Sequence, residues 1–388
     1  MDEQTRLIRS ATRRPQGRRP VNPPIARGTT LLNARAADLR DETLGPVYGI
    51  DGAGVHAELS RLLAEMEGAD RTFVVSTGLT AVSVALLAVL EPGDEVLVTD
   101  ACYWPGRQAL QRTLTRLGIT FRCHAPRAEP DEVAALFTER TRLLLMESPG
   151  TATFEVQDVP ALVARCAEAG VISMVDNTWA ASLLFKPIQH GADLSVQALS
   201  KYVSGHSDVF GGAISCRTPE MSRQVSQLIA DLGLYVSPDD AWLMLRGLRT
   251  LPTRMAQHAR NGRRVAEWLQ GRPEVAEVLW PALSSSPDHA LWARDFSGAA
   301  SLMGVVLDGG DGRAAEAMLD ALELFGLGFS WGGFESLATC EDAQLTGRAE
   351  PPSLAGPLIR LHVGLESPDD LIADLERGLA AWRRARSR

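Results

Sequence analysis

VISMVDNTWAASLLFKPIQHGADLSVQALSKYVSGHSD, residues 171–208, contains two short strand-like runs, each leading into a residue with reactive side-chain chemistry. Val171–Val175 stops at Asp176, and Leu194–Ala198 is followed by Leu199-Ser200-Lys201. The alternation continues upstream. Val55–Glu67 has apolar residues at helical spacing (Val55, Leu59, Leu62, Leu63, Met66) and stops at Gly68. Thr72–Ser76 is a β-rich run, and Thr80–Leu90 is an apolar helix ended by Pro92-Gly93. Glu95–Thr99 and Thr141–Met146 read as strands, the latter apolar enough to be buried on both faces. Val159–Glu168 reads as a helix with Asp158 as its N-cap and Gly170 behind it. Short apolar strands alternating with helices predict an α/β fold with a mostly parallel sheet covered on both faces. In such sheets ligands bind at the carboxyl ends of the strands, so the residues just past those ends are the ones to inspect.

Outside this section, the chain divides into an arm rich in Arg, Pro and Gly over 1–50, the α/β section over 51–245, and a smaller section of mixed elements over 246–388. With 388 residues, 45% apolar and 22% charged, it is an ordinary globular composition with room for more than one domain. No apolar run is long enough for a membrane span, and no secretory signal core opens the chain, so a cytoplasmic location is expected. The five cysteines (102, 123, 166, 216, 340) are scattered without a CxxC, which argues against a disulfide framework or a zinc site. A net charge of −9 argues against nucleic-acid partners. The arginines of the start (6, 9, 13, 14, 18, 19, 27) read as a surface arm that packs on another subunit.

One count is unusually informative. Of 39 basic residues only two are lysines, Lys186 and Lys201. Arg cannot give up its proton at accessible pH and so cannot act as an amine nucleophile. A lysine kept in so Arg-rich a chain is a candidate for chemistry that Arg cannot perform. Lys186 lies in a connecting segment, Phe185-Lys186-Pro187, whereas Lys201 lies at a strand end among small residues.

The other strand ends are suggestive. Thr77-Gly78-Leu79-Thr80 opens a helix and offers backbone N–H groups to an anion, although a plain N-capped turn has the same pattern. Tyr103 follows Glu95–Thr99 and can stack on a planar ligand or simply line a rim. Asp176 can bind a metal, act as a base, hold a cation or cap a helix. Together, phosphate cradle, aromatic ring, carboxylate and lone lysine fit pyridoxal phosphate, which needs an amine partner, a carboxylate for its ring nitrogen, a stacking ring and a phosphate site. The Gly52-Ala53-Gly54-Val55-His56-Ala57 match to a dinucleotide fingerprint lacks a good strand before it. His206 and Asp208 have no third metal ligand nearby, and a structural role is expected; His56, His190 and His362 are isolated and are assigned no chemistry.

The stretches VNPPIARGTT (21–30), STGLTA (76–81), ESPGTATFEVQDVP (147–160), VDNTWAASLLFKP (175–187), SKYVSGHSDVFGG (200–212), SWGGFESL (330–337) and IRLHVGLE (359–366) resemble the Cys/Met-metabolism family of pyridoxal-phosphate enzymes, and SWGG resembles its β-lyase branch. The resemblance runs from about Thr5 to the last helix. It implies the type I, aspartate-aminotransferase-like fold with a smaller C-terminal α+β domain, and a homotetramer built from dimers. It implies that Lys201 is the Schiff-base lysine and proton shuttle, that Asp176 partners the pyridinium nitrogen, and that Tyr103 stacks on the cofactor. Gly78, Leu79 and Ser200 would hold the phosphate. Arg360 would clamp the substrate carboxylate beside Ser330 and Trp331, and Tyr48 would reach a neighbouring subunit's site. The implied reaction is α,β-elimination of L-cystathionine, an amino-acid thioether, to homocysteine, pyruvate and ammonia. The alternatives are a C–S lyase for another cysteine S-conjugate and a γ-lyase or γ-synthase. The sequence departs from the family at Ile50, where an Arg usually reaches a neighbour's phosphate, at Trp104 after the stacking tyrosine, and at Ala198 in place of a Ser.

Overall fold

The computed structural model describes residues 3–8, 20–52 and 54–386. Seven strands form the larger sheet: β1 (Arg71–Val75), β2 (Glu95–Thr99), β3 (Thr120–His124), β4 (Thr141–Glu147), β5 (Ile172–Asp176), β6 (Leu194–Ala198) and β7 (Gly212–Cys216). Their order is β1-β7-β6-β5-β4-β2-β3. All neighbours pair in parallel except β7, which runs antiparallel to both β6 and β1.

The strand period of two sorts the side chains into two cores. Val96, Val98, Leu143, Leu145 and Met174 pack with Ala81, Ala85 and Leu86 of the Gly78–Val89 helix on one face. Leu97, Leu144, Met146 and Val175 point the other way and join Leu59, Leu62 and Leu63 of the Val55–Glu67 helix. The Val159–Ala169 helix lies on this second face. Asp158 accepts the Ala161 N–H at its start, and Gly170 closes it in the left-handed conformation.

Five strands form the second sheet: β8 (Val275–Leu279), β9 (Leu302–Leu307), β10 (Gly326–Leu327), β11 (Leu337–Cys340) and β12 (Leu358–His362), in the order β10-β11-β12-β9-β8. Its inner residues Met303, Val305 and Leu361 belong to the same apolar cluster as Leu144 and Val175, so one core runs from sheet to sheet. The anticipated break at 245/246 falls inside the Pro238–Leu248 helix. No helix of the described residues is long and apolar enough to cross a membrane.

Arg9, Arg13, Arg14, Arg18 and Arg19 of the arm lie outside the described residues. Leu7 is buried with Leu59 and Leu62 in the chain's own core. Arg27 grips Asp239 at the start of the Pro238–Leu248 helix. The arm from 20 to 52 leaves Val21 and Leu32 almost fully exposed.

Candidate active site

Because β1, β2, β4, β5 and β6 point the same way, their carboxyl ends open onto one edge of the larger sheet. The turn Thr77-Gly78-Leu79 follows β1, Tyr103 follows β2, Glu147 ends β4, Asp176 ends β5, and Lys201 lies in the 199–211 connection between β6 and β7.

Thr77 caps the Gly78–Val89 helix by accepting the Thr80 N–H at 3.0 Å. The first N–H groups of a helix have no partner within it, so those of Gly78 and Leu79 are left to face an anion. Gly78 is required by packing: a Cβ there would lie 2.6 Å from Cβ of Ala198. The Ser200 hydroxyl sits at the same end, accepting the Gly211 N–H at 2.9 Å and lying 3.3 Å from the Gly211 carbonyl.

Asp176 accepts both the hydroxyl (2.5 Å) and the N–H (3.0 Å) of Thr178 on Oδ1, which leaves Oδ2 for a ring N–H. Burial raises its pKa, against the pull of Thr178 and the Lys201 charge. Glu147 lies beside it in register on the adjacent strand. Glu147 accepts the Tyr103 N–H at 2.6 Å and the Thr151 hydroxyl at 2.5 Å. Burial first, and the Asp176 carboxylate second, raise the Glu147 pKa well above the carboxylate range. Sequence reasoning missed Glu147. The rule that singles out Asp176, a carboxylate at a strand end, would have found it had the strand been run one residue past Met146.

The Lys201 amine donates to Ser330 Oγ at 2.5 Å and lies 5.3 Å from the centre of the Trp331 ring. Burial, and then the Arg360 charge, lower its pKa to about 8, with Asp176 opposing. Arg360 bonds the Ser330 carbonyl at 3.3 Å and pairs with the fully buried Glu341 at 3.4 Å. Tyr103 is half-exposed, and its hydroxyl pKa is raised by burial and by the Glu147 and Asp176 carboxylates, with Arg360 acting the other way. The sequence candidates Lys201, Asp176, Tyr103, Arg360, Ser330 and Trp331 are therefore neighbours in space. Tyr48 lies in the arm with its ring half-exposed, and Ile50, two residues on, is also partly exposed. Trp104 opens the short helix after Tyr103, and its side chain lies outside the described set. His206 Nδ1 lies 2.6 Å from the Ser204 carbonyl, within its own loop.

A lysine with a depressed pKa, a carboxylate with one oxygen open, an exposed ring and a capped helix start share one rim. A profile of Cys/Met metabolism pyridoxal-phosphate-dependent enzymes matches residues 4–380. The chain belongs to that family.

Members of the Cys/Met-metabolism family lie close in sequence. The chain is 42% identical to a putative cystathionine β-lyase of Rhizobium johnstonii, covering 93% of this chain and 91% of that one. It is 40% identical to a cystathionine β-lyase of Bordetella avium, covering 94% and 93%. A solved cystathionine γ-synthase of Xanthomonas oryzae, in complex with aminoacrylate and cysteine, superposes with a TM-score of 0.90 at 32% identity over 99% of both chains. The fold is that of the type I pyridoxal-phosphate enzymes, and the cofactor is pyridoxal phosphate. The rim fits it: Lys201 supplies an amine that is readily neutral, Asp176 Oδ2 suits a ring N–H, and the Gly78–Leu79 N–H groups with Ser200 suit a phosphate.

Proposed function

We propose that this chain cleaves the Cβ–S bond of L-cystathionine by α,β-elimination, giving homocysteine, pyruvate and ammonia. The observation that carries this reading is Trp331 lying against Lys201, which puts a large flat side chain beside the reacting amine. The names of the Rhizobium and Bordetella relatives support it.

Pyridoxal phosphate supplies an aldehyde for amines and a pyridinium ring that takes up the electron pair released at the substrate's Cα. The chain's residues do the rest. With the cofactor bound, Gly78 and Leu79 would donate N–H groups, and Ser200 its hydroxyl, to the phosphate. Asp176 would keep the ring nitrogen protonated, and Tyr103 would cover the ring. Arg360 binds the substrate α-carboxylate with its planar fork, held in place by Glu341 and the Ser330 carbonyl. Lys201 Nζ takes the α-proton in its neutral form, aimed by Ser330 Oγ, and then returns a proton to the departing thiolate sulfur. The released 2-aminoacrylate takes up water to give pyruvate and ammonia. Tyr48 serves the site of a neighbouring copy. Val21, Leu32, Leu39 and Leu44 give the arm an apolar surface for that copy to cover, in an assembly built from dimers.

The test is the keto acid formed from L-cystathionine by the cofactor-loaded protein. Pyruvate is expected. 2-Oxobutyrate would move the chain to γ-elimination, and neither product would point to another cysteine S-conjugate.

A further inference from the structure

Behind the reactive amine lies a buried polar cluster that the reaction does not use: Tyr202, His258, Ser301 and His362. Arg360 and His362 are two residues apart on β12, so their side chains leave the same face of the strand. Both meet the loop that carries Ser330 and Trp331. Arg360 bonds the Ser330 carbonyl, and two residues further along both segments the Gly332 N–H points at His362 Nε2 at 3.1 Å.

We propose that His362 is a positioning residue: as an uncharged imidazole it bonds the Gly332–Gly333 backbone through Nε2 and fixes the 330–333 loop, and through it the Ser330 hydroxyl that aims Lys201. The inference rests on the assignment of Ser330 and Lys201 to the active site.

Nε2 lies 3.1 Å from both the Gly332 nitrogen and the Gly333 carbonyl oxygen, and Nδ1 faces Ser301 Oγ at 3.4 Å, so with the ring proton on either nitrogen Nε2 holds a backbone group of the loop. Ser301 Oγ in turn lies 3.4 Å from the Tyr202 hydroxyl, which accepts the Ser301 N–H at 3.2 Å. His258 Nδ1 donates to the Val363 carbonyl at 3.0 Å, anchoring the chain directly after His362. Burial and the neighbouring His258, Arg360 and Lys201 charges lower the His362 pKa to about 3, against the pull of the Gly333 carbonyl, so the ring stays neutral at any working pH.

The loop needs such an anchor. Ser330 has φ +86 and Gly332 has φ +87, and a non-glycine residue holds the left-handed region only where its surroundings impose it. The Trp331 ring packs on Tyr202 with centroids 5.4 Å apart, which fixes the loop's middle but not its backbone register. The His362 contacts at Gly332 and Gly333, with the Arg360 bond to the Ser330 carbonyl, supply the register.

Glutamine and asparagine at 362 separate reach from polarity. Glutamine places near the Nε2 position an amide that can accept the Gly332 N–H or donate to the Gly333 carbonyl, whereas asparagine is one methylene short. In the cofactor-free protein, His362→Asn is expected to speed amide exchange of residues 330–333 by about tenfold, with β9 exchange unchanged. His362→Gln is expected to stay within about twofold of the unsubstituted protein. In the cofactor-loaded protein, the same order is expected in kcat/KM for L-cystathionine. Equal behaviour of the two variants in the exchange measurement, folded or not, or unchanged exchange at 330–333 in both, would overturn the proposal. Failure of the unsubstituted protein to act on L-cystathionine would instead count against the substrate assignment and leave the exchange result to decide on His362.

Discussion

At the scale of single residues, burial does opposite things to the two groups closest to the reaction. It pushes the Lys201 ammonium toward its neutral amine and the Glu147 carboxylate toward its neutral acid. A neutral Glu147 leaves Asp176 as the anionic member of the adjacent pair, which is the charge a ring N–H requires. This has a measurable consequence for stability. A carboxyl whose folded pKa is raised contributes stability that is full below its unfolded value, near 4.5, and is lost as pH rises through the folded value. The cofactor-free protein should therefore lose stability on going from pH 5 toward 8. Glu147→Gln should remove that part of the decline, because the amide oxygen can still accept the Tyr103 N–H and the amide N–H can donate to Thr151. Urea unfolding midpoints across that range check it; parallel curves for the two proteins would show that Glu147 is ionised throughout. Asp176 and Lys201 are legible in the sequence because each stands at a strand end with unusual neighbours. Glu147 obeys the same rule and is missed only because the strand is ended one residue early, at Met146, whereas His362 is not legible, because its importance comes from Gly332 and Gly333, about thirty residues away along the chain.

At the scale of elements, the site is a set of turns held against strand ends. The turn after β1 rests on Ala198 through Gly78, and the Ser330–Gly333 loop rests on Lys201 and Tyr202 through Gly332. A Cβ at Gly332 would lie 2.7 Å from the Tyr202 nitrogen, in a backbone conformation that L side chains avoid. Gly332→Ala should therefore destabilise the fold by about 1–3 kcal/mol and lower kcat/KM more than Gly326→Ala, whose Cβ would meet the Leu337 side-chain tip at 3.3 Å and the Ser336 carbonyl at an ordinary 3.8 Å. Thermal melts and initial rates on both variants test this; equal effects would mean that the loop adjusts freely. The sequence reads β2, β4, β5, β6 and the Val55–Glu67 and Val159–Ala169 helices to within a residue or two, since each has a clear period and a clear stop. It does not disclose β3 or β7. Thr120–His124 alternates polar and apolar residues beside a helix tail, and Gly212–Cys216 is small-residue sequence continuous with a Ser- and Gly-rich connection. Their strand character comes from the neighbours they pair with. With β7 unseen, the antiparallel step in the sheet is unseen too.

Across the whole molecule, the two sheets share an apolar core, and buried charges tie them together at one side. Asp100, just past β2, accepts the Ala349 and Glu350 N–H groups at 2.9 Å each and pairs with the buried Arg107 at 2.5 Å. Nearby, Arg348 pairs with Glu155 at 3.1 Å, both nearly inaccessible. Burial would raise the Asp100 pKa, but the two backbone donors and Arg107 outweigh it and hold the group below its ordinary range. Asp100→Ala leaves a buried guanidinium and two N–H groups without their carboxylate, and should cost about 3–5 kcal/mol. Denaturant titration gives the value; a loss below about 1 kcal/mol would mean that water replaces the carboxylate. The placement of Lys201 has another use. The bond after Lys186 leads to Pro187, which resists lysine-directed proteases, so Lys201 is the chain's one ready cleavage point for them. Its neighbours Leu199, Tyr202 and Val203 are buried, so a protease can seat this segment only when the larger sheet has opened. A single cut into 1–201 and 202–388 would then act as a clock for unfolding of the native protein, with no label attached.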